Sequence, residues 1–199
     1  MSVTRFVFLL LGVLLLAAPA SAGEAMCEPS IVSTIGGRSS GLAIEGDTAY
    51  VANSIAGLHI YDISDPMNPQ ALGIAQTGEW SVNVAVQGDV AYVAATEAGL
   101  QIFDVATPTD PQRLTNFEAL DRVSDVALDG DVCYIGVGSA GVQILDVSDP
   151  TAPVTLGSTS VGGGYAYRIT RVDDLLYVAA GNAGLQIVDV SNSAAPAVI

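Results

Sequence analysis

A chain with one histidine, two cysteines and no lysine has few routes to covalent chemistry. His59 is the sole imidazole, and a serine or cysteine triad needs such a base, itself oriented by a third group. In the segments that align with it, the place of His59 is held by Gln101, Gln143 and Gln186. The position therefore asks for a hydrogen-bonding side chain, not a base. One histidine with the separated Cys27 and Cys133 does not make a zinc set. Asp62, Asp104, Asp146 and Asp189 recur at matching places and invite a metal reading. Calcium, however, needs six or more converging oxygens, and these carboxylates sit in four separate segments. Each reads instead as the cap of the turn that follows a strand, and so do Asp65, Asp149, Asp129 and Asp131. The expectation is no catalytic set, no metal and no cofactor.

Recognition chemistry is a different matter. Arg38, Arg122 and Arg168 are half of the basic residues, and they lie in short segments with Trp80, the only tryptophan, and with Tyr165 and Tyr167. Guanidinium forks and flat aromatic faces suit carboxylates, sulfates and sugar rings. Arg38, Trp80, Arg122, Tyr165 and Arg168 are thus the candidate ligand-binding residues. The competing account pairs the arginines locally with Glu79, Asp121 and Asp125 and packs the rings over the molecule's centre, since loops vary freely without function.

What positions these residues is a repeat. GLHIYDISDPMNP from Gly57, GLQIFDVATPTDP from Gly99, GVQILDVSDPTAP from Gly141 and GLQIVDVSNSAAP from Gly184 align, with glycines 42, 42 and 43 residues apart. Tyr50, Tyr92, Tyr134 and Tyr177 keep the same intervals, as do the four aspartates. Three markers in one register establish the repeat. In the second unit Val82 to Val86 alternates with a period of two, Gly88-Asp89 marks a hairpin, and strands follow over 91–95, 99–105 and 112–117. Four short antiparallel strands per unit of about 42 residues predict an all-β fold, a β-propeller of four-stranded blades. A sheet apolar on both faces must stack on its neighbours. The expected units are 38–79, 80–121, 122–164 and 165–199, and the candidate binding residues fall on the segments that link one blade to the next.

The run GLQIxDVSxPxxP, preceded by a strand of AYVA type, resembles the LVIVD-repeat family of exported and surface proteins of bacteria and archaea. The resemblance spans about 29–199 and implies a propeller outside the cytoplasm. It carries no shared reaction and no catalytic residues. Two departures are visible: Ser191 to Pro196 lacks the usual Asp-Pro turn, and Arg171 stands where an apolar residue is expected.

At the start of the chain, Arg5, the apolar run Phe6 to Leu16 and the small-x-small Ala20-Ser21-Ala22 read as a signal peptide over 1–22. The apolar run is too short to span a bilayer comfortably. After cleavage the expectation is an exported chain, periplasmic, secreted or at the cell surface, without stable membrane insertion. A formal charge of −15 repels nucleic acid and anionic lipid, and half of the residues are hydrophobic, which argues against disorder. Cys133 aligns with Ala49, Ala91 and Leu176 and reads as a core residue, although export would permit a bridge to Cys27. Residues 29–35 resemble an extra outer strand. That leaves a four-blade ring closed by a terminal strand, or part of a larger ring, the latter being preferred.

Function on this reading is a non-enzymatic scaffold that binds a protein or glycan at the blade-linking rim. A lyase or hydrolase using Glu79, Asp121 or Asp125, and a structural repeat region of a larger surface protein, are the alternatives.

Overall fold

The computed structural model describes residues 38–199; the signal segment, Cys27 and the strand expected over 29–35 lie outside them. The period-two pattern becomes sixteen strands in four sheets. The first holds β1 (Gly41–Glu45), β2 (Thr48–Ala52), β3 (Leu58–Asp62) and β4 (Gln70–Ala75). The second holds β5 (Asn83–Gln87), β6 (Val90–Ala94), β7 (Leu100–Asp104) and β8 (Gln112–Phe117). The third holds β9 (Asp125–Asp129), β10 (Val132–Gly136), β11 (Val142–Asp146) and β12 (Val154–Thr159), and the fourth β13 (Arg168–Val172), β14 (Leu175–Ala179), β15 (Leu185–Asp189) and β16 (Ala197–Val198). Every sheet is an antiparallel meander in chain order, and every expected unit contains one. These are four propeller blades.

The apolar faces account for the stacking. Tyr50, Ala52, Leu58 and Ile60 of the first blade share a buried cluster with Val84, Ala91, Val93 and Phe103 of the second. The same recipe recurs one step on, where Tyr92, Ala94, Leu100 and Ile102 meet Val126, Cys133, Ile135 and Leu145. Between the third and fourth blades Tyr134, Val142 and Ile144 meet Ile169, Leu176, Val178 and Val188. Cys133 is thus a core side chain as expected, a free thiol whose ionisation is suppressed by burial. The first strand of each blade packs against the first strand of the next: β1 on β5, β5 on β9, β9 on β13.

Among the described residues, the faces at the two ends of the arc are less covered than their counterparts at the inner joints. Leu42 is 60% exposed, whereas its equivalents Val84, Val126 and Ile169 are 4, 5 and 7% exposed. Leu185 is 65% exposed, against 0% for Leu58, Leu100 and Val142. The expected pairing of 29–35 beside Gly184–Val190 falls outside the described residues. Over Ile187 to Asp189, though, that edge is already taken by the chain's own Ala197, Val198 and Ile199.

Turn chemistry repeats as faithfully as the core. The four aspartates each accept a backbone amide two residues on, Ser64, Ala106, Ser148 and Ser191, at 2.8–2.9 Å. Asn192 takes over from Asp65 and Asp149 by accepting the Ala194 amide at 3.2 Å, so the departure over Ser191–Pro196 conserves the turn. The other departure is explained across a blade joint. Arg171 pairs with Asp129 at 2.9 Å and lies 5.8 Å from the Tyr134 ring centroid.

Candidate functional site

The segments linking one blade to the next are fixed by a backbone contact that recurs three times. The amides of Ser81, Val123 and Ala166 donate to the carbonyls of Ser54, Thr96 and Gly138 of the preceding blade at 2.9–3.0 Å. One residue before each bridging residue stand Trp80, Arg122 and Tyr165, and Arg38 holds the same place ahead of the first blade. Four of the five candidate residues therefore occupy a single position of the repeat. The fifth, Arg168, opens β13 at the position that is Gly41, Asn83 and Asp125 in the other blades.

This second position forms a hydrogen-bonded plate where the inner strands begin. Asp125 is buried, and its carboxylate accepts the Val126 amide at 3.0 Å, the Ile169 amide of the next blade at 2.7 Å and the Asn83 side-chain amide of the preceding one. Arg168 reaches the same carboxylate at 3.4 Å and donates with its other terminal nitrogen to the Ser40 carbonyl at 3.4 Å. One side chain thus ties the fourth blade back to the segment that precedes the first.

Above the plate lies a cavity of about 310 Å³. Arg122, Tyr165 and Arg168 line it, together with Tyr167, Thr96 and Ser124. Trp80 and Arg38 are exposed and lie outside that lining. The two tyrosine rings lie 4.5 Å apart between centroids at 37°, and burial raises the Tyr165 hydroxyl above its ordinary value. Val82, Thr96 and Ser124 carried no signal in the sequence, because each is an ordinary residue of its repeat position.

Neither arginine is a bare charge. Arg122 pairs with Glu97 at 3.0 Å and Arg168 with Asp125, and both guanidinium groups remain about half exposed. The mouth is therefore zwitterionic, with arginine N–H groups to spare because each guanidinium carries five donors. One of the rim acids, Asp121, is tightly held by hydrogen bonds. Asp121 accepts the Ser139 hydroxyl at 2.6 Å and the amides of Ser139 and Arg122 at 2.9 and 2.7 Å. Those bonds, the Ser139 hydroxyl foremost, hold its carboxyl below the usual range. A general acid near neutral pH needs the opposite shift. Glu97 is likewise lowered, first by the Thr96 hydroxyl. Asp125 has its lone pairs spent inside the protein. Among the described residues no three His, Cys, Asp or Glu side chains group in a way that could hold a metal. Among the described residues His59 meets the Tyr61 hydroxyl, 3.2 Å from its Nδ1.

The model of the LVIVD repeat matches four times, over residues 36–77, 80–118, 122–161 and 163–199. No curated protein gives a significant match. Among solved structures the chain is similar to the computationally designed Ika4 protein, with a TM-score of 0.65 and 12% identity over 82% of this chain and 99% of that one. It is also similar to the designed Ika8 protein, at 0.61 and 11% over 78% of this chain and 46% of that one. A candidate 6-phosphogluconolactonase of Bacteroides uniformis gives 0.67 and 14% over 79% of this chain and 52% of its own. The chain spans about half the length of these last two, and at such identities the likeness is one of fold.

Proposed function

The chain belongs to the LVIVD repeat family, and on that footing we propose an exported, non-enzymatic binding scaffold that takes a protein or glycan ligand at the blade-linking rim. The observation that carries the reading is the convergence of Arg122, Arg168 and the tilted Tyr165–Tyr167 pair, from two different blade links, around one cavity. Half-exposed guanidinium groups offer charge-assisted donors to a carboxylate or sulfate. The tyrosine pair offers a flat apolar wall with polar tips, suited to a sugar ring or an aliphatic stem. The neighbouring hollow of about 430 Å³ is lined by Glu97, Glu118 and Asp121 beside Arg122. Repulsion there directs an acidic group toward the tyrosine side.

The test compares wild type with an Arg122→Ala/Tyr167→Ala double variant on a glycan array and in pull-downs of cell-surface proteins. Both side chains are about half exposed, so folding should change by no more than about 0.5 kcal/mol at each. Loss of the wild-type capture is expected. Retention of every wild-type interaction by the double variant overturns the reading.

A further inference from the structure

Tyr165 and Tyr167 line the mouth, and two glycines make room for them. Ser54, Thr96, Gly138 and Gly181 hold one position of the repeat, with φ of +46°, +42°, +52° and +55°. Serine and threonine accept that backbone in the first two blades, so φ alone does not call for glycine in the third and fourth. What the glycines supply is space. A Cβ on Gly138 would lie 3.1 Å from two carbons of the Tyr165 ring, and one on Gly181 would lie 2.9 Å from the Tyr167 ring. Tyr165 stands where the other links have Arg38, Trp80 and Arg122, and Tyr167 where they have Ser40, Val82 and Ser124. The exchanges to glycine and to tyrosine therefore come together. A ring needed only as filling would be covered, yet Tyr167 is 55% exposed and both rings face onto the cavity lining.

Taking its site from the rim reading above, we propose that this mouth binds one hexuronic acid unit, a pyranose ring bearing a single carboxylate, carried by an otherwise neutral glycan. Rings seated on glycine backbone, 4.5 Å apart at 37°, make a wall that is organised before the ligand arrives, which lowers the ordering cost of binding. The C–H faces of a sugar ring are what such an aromatic wall covers. A cavity of about 310 Å³ stands at the small end of ligand pockets, roughly 300–1,000 Å³. That space suits a monosaccharide, whereas a peptide segment needs a longer groove.

Charge narrows the ligand further. The two guanidinium groups on the cavity are balanced by Glu97 and Asp125, so the mouth offers N–H donors with little net positive charge. One carboxylate is the anion that this arrangement takes. A row of anionic groups would meet Glu97, Glu118 and Asp121 in the adjoining hollow and the field of a chain with net charge −15. Polysulfated chains, strings of uronate and runs of acidic side chains are disfavoured on the same ground.

Calorimetric titration of the full chain compares neutral oligosaccharides ending in one glucuronate or galacturonate with the same glycans reduced to the alcohol at that carboxyl, with heparin and with a short Glu-rich peptide. A uronate-ended glycan should bind, and its reduced counterpart at least about tenfold more weakly through loss of the charge-assisted bonds. Heparin and the peptide should also bind more weakly than the uronate glycan. Gly181→Ser gives the fourth blade the residue that the first has at this position, displaces the Tyr167 ring and leaves both arginines in place. Tyr167→Ala removes the same ring without touching the backbone, and circular dichroism checks that each variant folds. Each should weaken the uronate glycan about fivefold, the scale of one aromatic contact. No binding of either uronate glycan, a reduced glycan bound as tightly, a preference for heparin or the peptide, or undiminished binding by both variants would each overturn the proposal. The broader rim reading falls only if Arg122→Ala/Tyr167→Ala keeps every wild-type capture. A protein ligand lost in that double variant would leave the rim reading standing and refute the uronate.

Discussion

Four glycines open the third strand of the four blades with φ of +88°, +79°, +93° and +73° at Gly57, Gly99, Gly141 and Gly184. The Ala-Gly step before each strand made this legible, since only glycine accepts such a backbone without strain. The surroundings were not legible. A Cβ on Gly141 would sit 2.3 Å from the Thr159 carbonyl, and those on Gly57 and Gly99 would be equally crowded, whereas one on Gly184 meets nothing within 4 Å. Gly141→Ala should therefore lower stability by at least about 2 kcal/mol, strain and clash together, and Gly184→Ala by about 1 kcal/mol from strain alone. Equal urea midpoints for the two variants would show that the carbonyl contact does not matter. The repeated aspartates allow a second test at this scale. Hydrogen bonds from Ser64, Ser148 and Ser191 hold Asp62, Asp146 and Asp189 below their ordinary 3.8. A carboxyl lowered in the folded state contributes stability that is present above the unfolded pKa and lost as pH falls through the folded one. Titration followed by carboxyl carbon shifts should give midpoints below 3.8 for all three, and midpoints at or above it would contradict the turn-cap role.

Within a blade the strands came through almost residue for residue: in the second unit they were expected at 82–86, 91–95, 99–105 and 112–117 and run over Asn83–Gln87, Val90–Ala94, Leu100–Asp104 and Gln112–Phe117. Alternation and turn residues act locally, so a sequence displays them. Contacts between blades are another matter, because they join residues some forty positions apart that no local pattern couples. Arg171 looked like a flaw in an apolar strand until Asp129 of the neighbouring blade supplied its partner. Asp125 read as a rim acid and is instead a staple across three blades, accepting from Asn83, Ile169 and Arg168. Removing it strands the Ile169 amide and the Asn83 side-chain amide. Asp125→Ala should cost about 3 kcal/mol, the scale of losing one partner of a buried charged network. Asp125→Asn, which keeps an acceptor, should recover part of that loss. A guanidinium chloride midpoint unchanged in Asp125→Ala would mean that the apolar joints alone hold these blades in place.

Taken whole, the molecule is a strongly acidic body, −15 in formal charge, and the recognition proposed for it draws on two arginines that line one mouth. The sequence revealed which residue types gather on the blade links. It could not reveal that Arg122 and Arg168 share a cavity while Trp80 and Arg38 lie outside its lining, because convergence depends on the curvature of the arc. The charge arrangement gives opposite salt dependences. Self-repulsion of the acidic body is screened by salt over a Debye length of about 10 Å at 0.1 M, so the unfolding temperature should rise as salt is added. Capture of an acidic ligand by Arg122 and Arg168 is an attraction between exposed charges, so it should weaken over the same range. Measuring Tm and ligand capture along one sodium chloride series tests both expectations on the same samples. Capture that strengthens with salt would point to the tyrosine wall, not the arginines, as the source of affinity, and a Tm that falls would mean that the ion pairs at Asp129, Asp125 and Glu97 outweigh the repulsion of the remaining acids.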